Sequence, residues 1–332
     1  MDINQKRDAA LTVEVKDESD PSGCISMIGI GEAMHIVKEN SIWKFELADK
    51  ADPERTNINV PNALQKVASI GANSRIVRQT LLQSTYFLKN ALCGKPLETP
   101  VLEQALRACL ELSKLCKISE ELEADLVRAF AIVNEGTSRG TLRLPHYPDL
   151  TSTWTSALGA MDGVRASIRE MAFAFFPDIS KNNIWFNDLR ECFTFKAFET
   201  SDNDGILDAV DESLGFVRWL RNAKEHPKVG QRLEILDYRL RPDARVAPPS
   251  IRLERKEGNW EEYDLAAAIE QLRRSLLYAF EMVLVFSIGE FVGEVMGQQA
   301  KIGWIPDENR RSIDQPDYCI LVDIHGRLQR LG

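Results

Sequence analysis

The segment "ILDAVDESLGFVRWLRNAKEHP", residues 206–227, combines a helical apolar pattern with a polar, charged end. Its apolar residues recur at intervals of three and four positions, the spacing of one helix face: Leu207, Val210, Leu214 and Val217. Pro227 disfavours helical backbone at the residue before it, so we expect the helix to end there. The pattern predicts a helix that packs on a core and stops in a polar turn.

Three side chains at this polar end stand out. Arg221 continues the spacing of the stripe, so we expect its guanidinium to line a wet groove or to meet a carboxylate. Asn222 and His226 are four residues apart and therefore share a neighbouring face. His226 is expected at the C-terminal end of the helix, where the helix dipole favours a protonated imidazole.

Metal-free cleavage of RNA needs these residue types. A histidine takes the proton of the ribose 2′-hydroxyl or gives one to the leaving 5′-oxygen near neutral pH. A guanidinium stabilises the charge that develops around the phosphorus, and an amide holds the imidazole or a phosphate oxygen in place. Because DNA lacks the 2′-hydroxyl, such chemistry acts on RNA alone.

The six residues from Arg221 to His226 read R-N-x-x-x-H, and with their helical surroundings they resemble the HEPN superfamily. The resemblance implies an all-helical, usually dimeric domain, many members of which are metal-independent endoribonucleases in toxin–antitoxin, abortive-infection and CRISPR systems. It implies a transition-state cation at Arg221, a variable polar role at Asn222 and general acid/base catalysis at His226. In that family the Arg and His of two protomers face each other across the dimer. The sequence departs from the pattern at Pro227, where a β-hairpin intervenes before the last helix, and this bears on where His226 lies.

A basic stretch surrounds the motif, although the whole chain carries a net charge of −9. Between Arg218 and Lys256 there are eleven Arg and Lys against five Asp and Glu. Such a patch suits the RNA backbone. The predicted RNA-binding residues are Lys224, Lys228, Arg232, Arg239, Arg241, Arg245 and Arg252. An ordinary solvated hairpin accounts for the same composition and remains an alternative.

The predicted fold is mainly α: a HEPN-like helical bundle with an inserted β-hairpin and short strands at the termini. Residues 1–57 form a mixed N-terminal segment, in which "IGIGEAMH" suggests a turn before a short helix. The helical period dominates residues 58–297 and is interrupted by a hairpin at 230–257. Residues 298–332 form a tail whose one strand, "YCILVDI", is a candidate partner for "LTVEV" at 11–15.

Within the bundle, one predicted helix ends before Gly94, and a second follows over residues 99–116. Ser119 is a candidate N-cap for a third helix, which stops before Gly136. The longest helix is expected from Asp264 to about Met296.

The other three histidines are weaker candidates for a functional site. His35 reads as a satisfied core or surface histidine, His146 as a loop residue without a partner, and His325 as part of a turn. Because the four histidines and six cysteines are scattered, we expect no metal site, disulfide framework or cofactor. The start has no apolar signal segment, and three glutamates interrupt the most apolar stretch, so a cytoplasmic protein outside the membrane is expected.

Two functions stay open. The first is a metal-independent endoribonuclease of toxin or phage-defence type, whose partners are RNA, a second copy of the chain and an antitoxin or regulatory protein. The second is a non-catalytic helical dimerisation module, such as a sensor or antitoxin-like subunit. In the second case Arg221 pairs with a buried carboxylate such as Glu281, and His226 merely caps carbonyl groups.

Overall fold

The computed structural model describes residues 15, 17–57, 59–91, 95–135, 137–138, 141–182, 184–198, 200–295, 297–310, 312–324 and 327–331. Helices hold 48% of the described residues and strands 22%. The chain is therefore a mixed α/β protein, and the predicted mainly α bundle is wrong. It forms two compact units: Met1–Leu106 with Phe291–Gly332, and Arg107–Glu290.

The first unit contains a four-stranded antiparallel sheet in chain order: β1 (Ser26–Ile30), β2 (Ala33–Val37), β3 (Ile42–Glu46) and β4 (Ala63–Ala68). The short helix expected after "IGIG" is strand β2 instead. A two-residue turn joins it to β1, with Gly31 at a φ of 58°. Because glycine adopts this left-handed conformation without strain, the two runs fold back as a hairpin.

A buried lysine follows β2. Lys38 is 2% exposed, and its Nζ donates hydrogen bonds to the carbonyl oxygens of Asp20 and Val15. The buried carboxylate of Asp20 accepts from the Ser41 hydroxyl and from the Asn40 N–H. These bonds compensate the burial of both charges and hold the chain before β1 against the sheet.

The first unit also contains a helical run, a second sheet of three strands and one separate pair of strands. The helical run comprises α1 (Arg75–Val77), a π-helical turn (Arg78–Leu82) and α2 (Gln83–Asn90). The predicted strand in "YCILVDI" is confirmed as β15, but the tail holds more than that one strand. The remaining strands are β12 (Glu294–Val295), β13 (Gln298–Gln299), β14 (Lys301–Trp304), β15 (Tyr318–Ile324) and β16 (Arg327–Arg330). Residues 11–14, which form most of the candidate partner strand "LTVEV", lie outside the described residues. The same holds for Gly94, Gly136, Met296 and His325.

Helix α3 (Lys95–Glu135) is continuous over 41 residues, so the predicted break at Ser119 is wrong. Ser119 is buried, and its hydroxyl donates to the Cys116 carbonyl at 2.9 Å. A serine hydroxyl that bonds back into its own helix does not act as an N-cap. The merged helix is longer than the one that starts after Asp264, which was expected to be the longest.

The second unit combines α3 from Arg107 onward with four further helices and a three-stranded antiparallel sheet. The helices are α4 (Leu150–Phe175), α5 (Trp185–Cys192), α6 (Asn203–Glu225) and α7 (Leu265–Phe291). The sheet strands are β7 (Arg232–Leu236), β10 (Ser250–Lys256) and β11 (Asn259–Asp264). This unit also has two small pairs of strands: β5 (Thr137–Ser138) pairs with β6 (Thr141–Leu142), and β8 (Arg239–Leu240) with β9 (Val246–Ala247).

The pairing predicted for the insertion is present, because β7 pairs with β10 and places Leu233 opposite Leu253 and Ile235 opposite Ile251. Strand β11 was not predicted, since "NWEEYD" has no apolar alternation. Asp264 caps α7 by accepting from the Ala267 N–H at 2.9 Å. None of the described helices combines the length and the apolarity needed to cross a bilayer.

Candidate functional site

The polar end of α6 lies where the sequence predicts it. The helix ends at Glu225, and the N–H of His226 still donates to the Asn222 carbonyl at 2.8 Å. His226 leaves the helical conformation, with φ −138° and ψ 63°. The predicted termination before Pro227 is thus confirmed, and its cause is the clash between a proline ring and helical backbone at the preceding residue.

The predicted place of Arg221 on the apolar stripe is wrong. The stripe is buried as expected from Leu207 to Val217, but it continues through Leu220 and Ala223, which are 1% and 2% exposed. The Arg221 side chain is 44% exposed. At 3.6 residues per turn, position 221 lies about 100° around the axis from position 220. The guanidinium therefore lies at the surface, on one flank of α6.

Two carboxylates hold Arg221. Its Nη1 donates to Asp162 Oδ2 on α4 at 3.0 Å, and its Nε donates to Glu225 Oε1 at 3.1 Å. The hydrogen bond to Glu225 and the charge of Asp162 raise the pKa of the Arg221 guanidinium. Asp162 also accepts from Arg165 Nε at 2.8 Å. The carboxylate partners of Arg221 are therefore Asp162 and Glu225, and not Glu281 as the second interpretation suggested.

His226 is exposed, and its imidazole has no hydrogen-bond or ion-pair partner within the described part of the chain. The half-buried Asn222 side chain likewise has none there. His226 comes five positions after Arg221 and beyond the last residue of α6, so helical spacing does not fix the direction of its side chain. One chain thus brings Arg221 to Asp162 and Glu225, and no hydrogen bond joins its guanidinium to Asn222 or His226 among the described residues.

The five arginines expected to bind RNA all face carboxylates. The ion pairs are Arg232–Glu254 (3.5 Å), Arg252–Glu234 (3.3 Å), Arg241–Glu262 (3.9 Å), Arg245–Asp243 (3.9 Å) and Arg239–Glu262. Four carboxylates and no cation follow Lys256 as far as Asp264. Because β11 brings three of these next to β10, the sheet is closer to neutral than the preceding stretch suggests. Because the acidic strand β11 was not predicted, the positive charge of this region was overestimated from the sequence.

The two lysines of the predicted set differ from the arginines. Lys224 Nζ donates to the Thr155 hydroxyl on α4 at 2.7 Å. Lys228 is exposed, and its backbone N–H donates to the Gln231 carbonyl at 3.2 Å. Neither ammonium forms an ion pair with any residue that the structure describes. These two cations lie two residues before and two residues after His226.

The other histidines depart from expectation in part. His35 is buried in β2, and burial lowers its pKa. The expected core position is thus confirmed, but its Nδ1 has no hydrogen-bond partner among the described residues. His146 Nδ1 lies 2.5 Å from Asp237 Oδ2, whereas no partner was expected. Within the described ranges, no three His, Cys, Asp or Glu side chains are grouped as metal ligands would be.

A cavity of about 580 Å³ lies in the second unit and was not predicted. Residues of α4, α6, β10, β11 and α7 line it. Among them are the small side chains Ala209 and Ser213 on α6 and Ala267 and Ala268 on α7. Small residues at helical spacing leave room between helices, and this was the available sequence signal. A second cavity of about 370 Å³ is lined by residues that include Arg165, Trp185 and Arg218.

Comparison with known proteins finds no matching family model, no significantly similar curated protein and no significantly similar solved structure.

Proposed function

We propose that the chain is a metal-independent endoribonuclease with a cleft formed between two copies, as the HEPN resemblance implies. The observation that carries the proposal is the state of His226. Its imidazole is exposed and unengaged by the described residues, at a helix end, with the ammonium groups of Lys224 and Lys228 nearby in the chain. An accessible imidazole beside cations suits proton transfer on a phosphodiester.

The contacts of Arg221 favour a shared cleft over one within a single chain. Asp162 and Glu225 hold the guanidinium, and none of the described contacts joins it to the imidazole of the same copy. A two-fold axis repeats each side chain on the facing copy. Arg221 of one copy then faces the imidazole supplied by the other.

In the proposed reaction, one imidazole takes the proton of the 2′-hydroxyl, and the 2′-oxygen attacks the phosphorus. The bond to the 5′-oxygen breaks, and the same imidazole, now protonated, gives its proton to that oxygen. The products are a 2′,3′-cyclic phosphate and a 5′-hydroxyl. Arg221 stabilises the five-coordinate phosphorus once the phosphate displaces its carboxylate partners. Exposed ion pairs contribute at most about 1 kcal/mol, so this displacement is accessible.

The test is cleavage of a labelled RNA oligonucleotide by the purified chain in the presence of EDTA. We expect products with cyclic phosphate ends and no cleavage of a fully 2′-deoxy substrate. His226→Ala should slow cleavage by about 10²- to 10⁴-fold, the usual contribution of a general acid or base. His146→Ala, which removes another exposed histidine, is the matched control. Intact RNA with folded wild type, or full activity in His226→Ala, contradicts the proposal.

A second candidate, the non-catalytic dimerisation module, is favoured by the two carboxylates on Arg221. In that case the guanidinium joins α4 to α6 and is not available to phosphate. Arg221→Ala then lowers the free energy of unfolding, while RNA stays intact with wild type and variant alike. A dimer in analytical ultracentrifugation without cleavage supports this candidate, and cleavage that depends on His226 excludes it.

A further inference from the structure

The cavity of about 580 Å³ is elongated and lies in the second unit. One face of α6 lines it from Ala209 to Leu220, and one face of α7 lines it from Ala267 to Ser275. At 1.5 Å per residue, these two stretches are about 16 Å and about 12 Å long. A lining that follows two helices for two to three turns suits a narrow, extended ligand. The volume lies within the range of about 300–1,000 Å³ that small-molecule sites commonly enclose.

The buried walls of this cavity are apolar. They consist of Trp154, Leu220, Ile251, Leu253 and Leu272. The Nε1 atom of Trp154 is itself buried, so this ring contributes carbon atoms to the wall. Burying the hydrocarbon part of a ligand against such walls is favourable in proportion to the apolar area removed from water.

Three polar side chains of the lining are engaged with other partners. The Ser213 hydroxyl donates to a carbonyl oxygen of its own helix at 2.8 Å, and the Tyr263 hydroxyl donates to Glu261 at 2.7 Å. Asp264 accepts from the backbone as the cap of α7. A ligand that needs several hydrogen bonds along its length is therefore poorly matched, whereas a hydrocarbon chain is well matched.

A measured contact places one charge against the lining. The Arg255 guanidinium lies 5.4 Å from the ring centre of Phe216, and both residues line the cavity. Arg255 is exposed and forms no ion pair within the described ranges. Glu212 is the other unpaired charge of the lining, but no hydrogen bond, ion pair or ring contact of the described residues fixes its carboxylate there. The located charge is therefore the cation, and it favours an anionic ligand.

We propose that this cavity binds a straight-chain fatty acid of about 10–12 carbons. Its carboxylate pairs with Arg255 at the exposed rim, and its chain lies along α6 and α7 against the apolar walls. An extended alkyl chain advances roughly 1.25 Å per carbon, because its C–C bonds are about 1.5 Å long and zigzag. Such a chain therefore matches the length of the lined stretches. The inference is independent of the proposed nuclease function, because Arg221, Asn222 and His226 do not line the cavity.

Isothermal titration calorimetry on the full chain tests this proposal, with sodium dodecanoate as the probe. We expect saturable binding of one dodecanoate per chain. From octanoate to dodecanoate the affinity should rise about fourfold per methylene, the effect of burying one CH₂ group. Tetradecanoate should bind at most about twofold more tightly than dodecanoate, because its chain exceeds the lined length. 1-Dodecanol and dodecylamine lack the carboxylate, and each should bind at least about tenfold more weakly.

Charge variants locate the carboxylate. Arg255→Gln should weaken dodecanoate binding by about tenfold and leave 1-dodecanol binding unchanged. Lys256→Gln, which removes the neighbouring exposed charge outside the lining, is its control and should bind as wild type does. Glu212→Gln removes a like charge from the lining and should bind dodecanoate at least as tightly as wild type.

A cavity-filling variant locates the chain. Ala268→Phe places a ring in the cavity and should weaken dodecanoate binding by at least about tenfold. Ala124→Phe, at an exposed position on α3, is its control. Circular dichroism verifies that both variants are folded, and Arg255→Gln tests the same site through an exposed side chain.

Four results overturn the proposal. They are no saturable binding at millimolar dodecanoate, an affinity independent of chain length, tighter binding of dodecylamine than of dodecanoate, and equal effects of Arg255→Gln and Lys256→Gln.

Discussion

The guanidinium of Arg221 reaches from α6 to α4 and donates to the carboxylate of Asp162 at 3.0 Å. The two residues are 59 positions apart in the chain. Glu225, one turn further along α6, accepts a second hydrogen bond from the guanidinium. This arrangement fixes the arginine in space and neutralises it. A phosphate that binds Arg221 has to compete with both carboxylates.

Glu225→Gln should therefore increase RNA cleavage severalfold if the proposed nuclease function holds, because it removes one competitor and leaves the Arg165–Asp162–Arg221 contacts intact. The unfolding free energy should change by less than about 1 kcal/mol, as for other exposed pairs. Initial cleavage rates and thermal unfolding measure the two effects. Asp211→Asn, on the same helix and without an ion pair in the described part, is the control. A lower rate in a folded Glu225→Gln protein argues against competition.

Mixed dimers test the shared cleft. Arg221→Ala and His226→Ala proteins should each be inactive alone. If every cleft takes Arg221 from one copy and His226 from the other, half of the mixed dimers' clefts are complete. An equimolar mixture should then recover about a quarter of wild-type activity under statistical exchange. A mixture as inactive as its components, although subunit exchange is shown by native mass spectrometry, contradicts the arrangement.

Asp317 should be important for the stability of the first unit. It is 3% exposed, lies 2.7 Å from Arg310 Nη2 and accepts from Gln79 Nε2 at 2.8 Å. Asp317→Asn leaves the Arg310 guanidinium, which is 12% exposed, without its counter-charge. Loss of one partner of a buried pair typically costs about 3–5 kcal/mol, so we expect a value toward the lower end. Asp314→Asn, in the same segment and less buried, should cost less than about 0.5 kcal/mol. Urea unfolding measures both, and equal midpoints for the two variants refute the prediction.

The thiol of Cys116 should react slowly at neutral pH. Burial and the nearby Glu120 carboxylate, which accepts its S–H at 3.2 Å, raise the pKa of Cys116 to about 11. The reactive thiolate forms as the pH rises through that value, so at pH 8 only about one molecule in a thousand carries it. Alkylation by iodoacetamide, followed by peptide mass spectrometry, should accelerate about tenfold per pH unit between 8 and 10.

Glu120→Gln removes the negative charge next to the sulfur and should increase the alkylation rate of Cys116 at pH 8. Chain unfolded in urea provides the reference rate for a thiol of ordinary pKa at the same pH. If folded wild type and unfolded chain react at the same rate at pH 8, the raised pKa is disproved.

Features set by neighbours in the sequence were predictable. The buried positions from Leu207 to Val217 follow from helical spacing, and the end of α6 follows from Pro227. The pairing of β7 with β10 follows from alternation over a few residues. In each case the physical cause acts between residues of one helix turn or one strand. It can therefore be recognised from the spacing of residues in the sequence.

Features set by distant contacts or by weak local preferences were not predictable. Ser119 has a capping side chain, yet it lies inside α3 because its hydroxyl bonds back into the helix. Gly31 allows a hairpin where a helix start was expected. Asp162, the partner of Arg221, and Asp237, the partner of His146, come from other segments of the chain. No local pattern specifies which carboxylate approaches a given cation.

The buried ammonium of Lys38 makes the residues before the first strand part of the folded unit. Its acceptors, the carbonyl oxygens of Val15 and Asp20, lie outside every strand of the sheet that they support. A protease cut between Asp20 and Ser26 would free this stretch and leave a cation in the interior with nothing to bond. Limited proteolysis at that site should therefore trigger digestion of the whole sheet, rather than yield a trimmed and durable fragment.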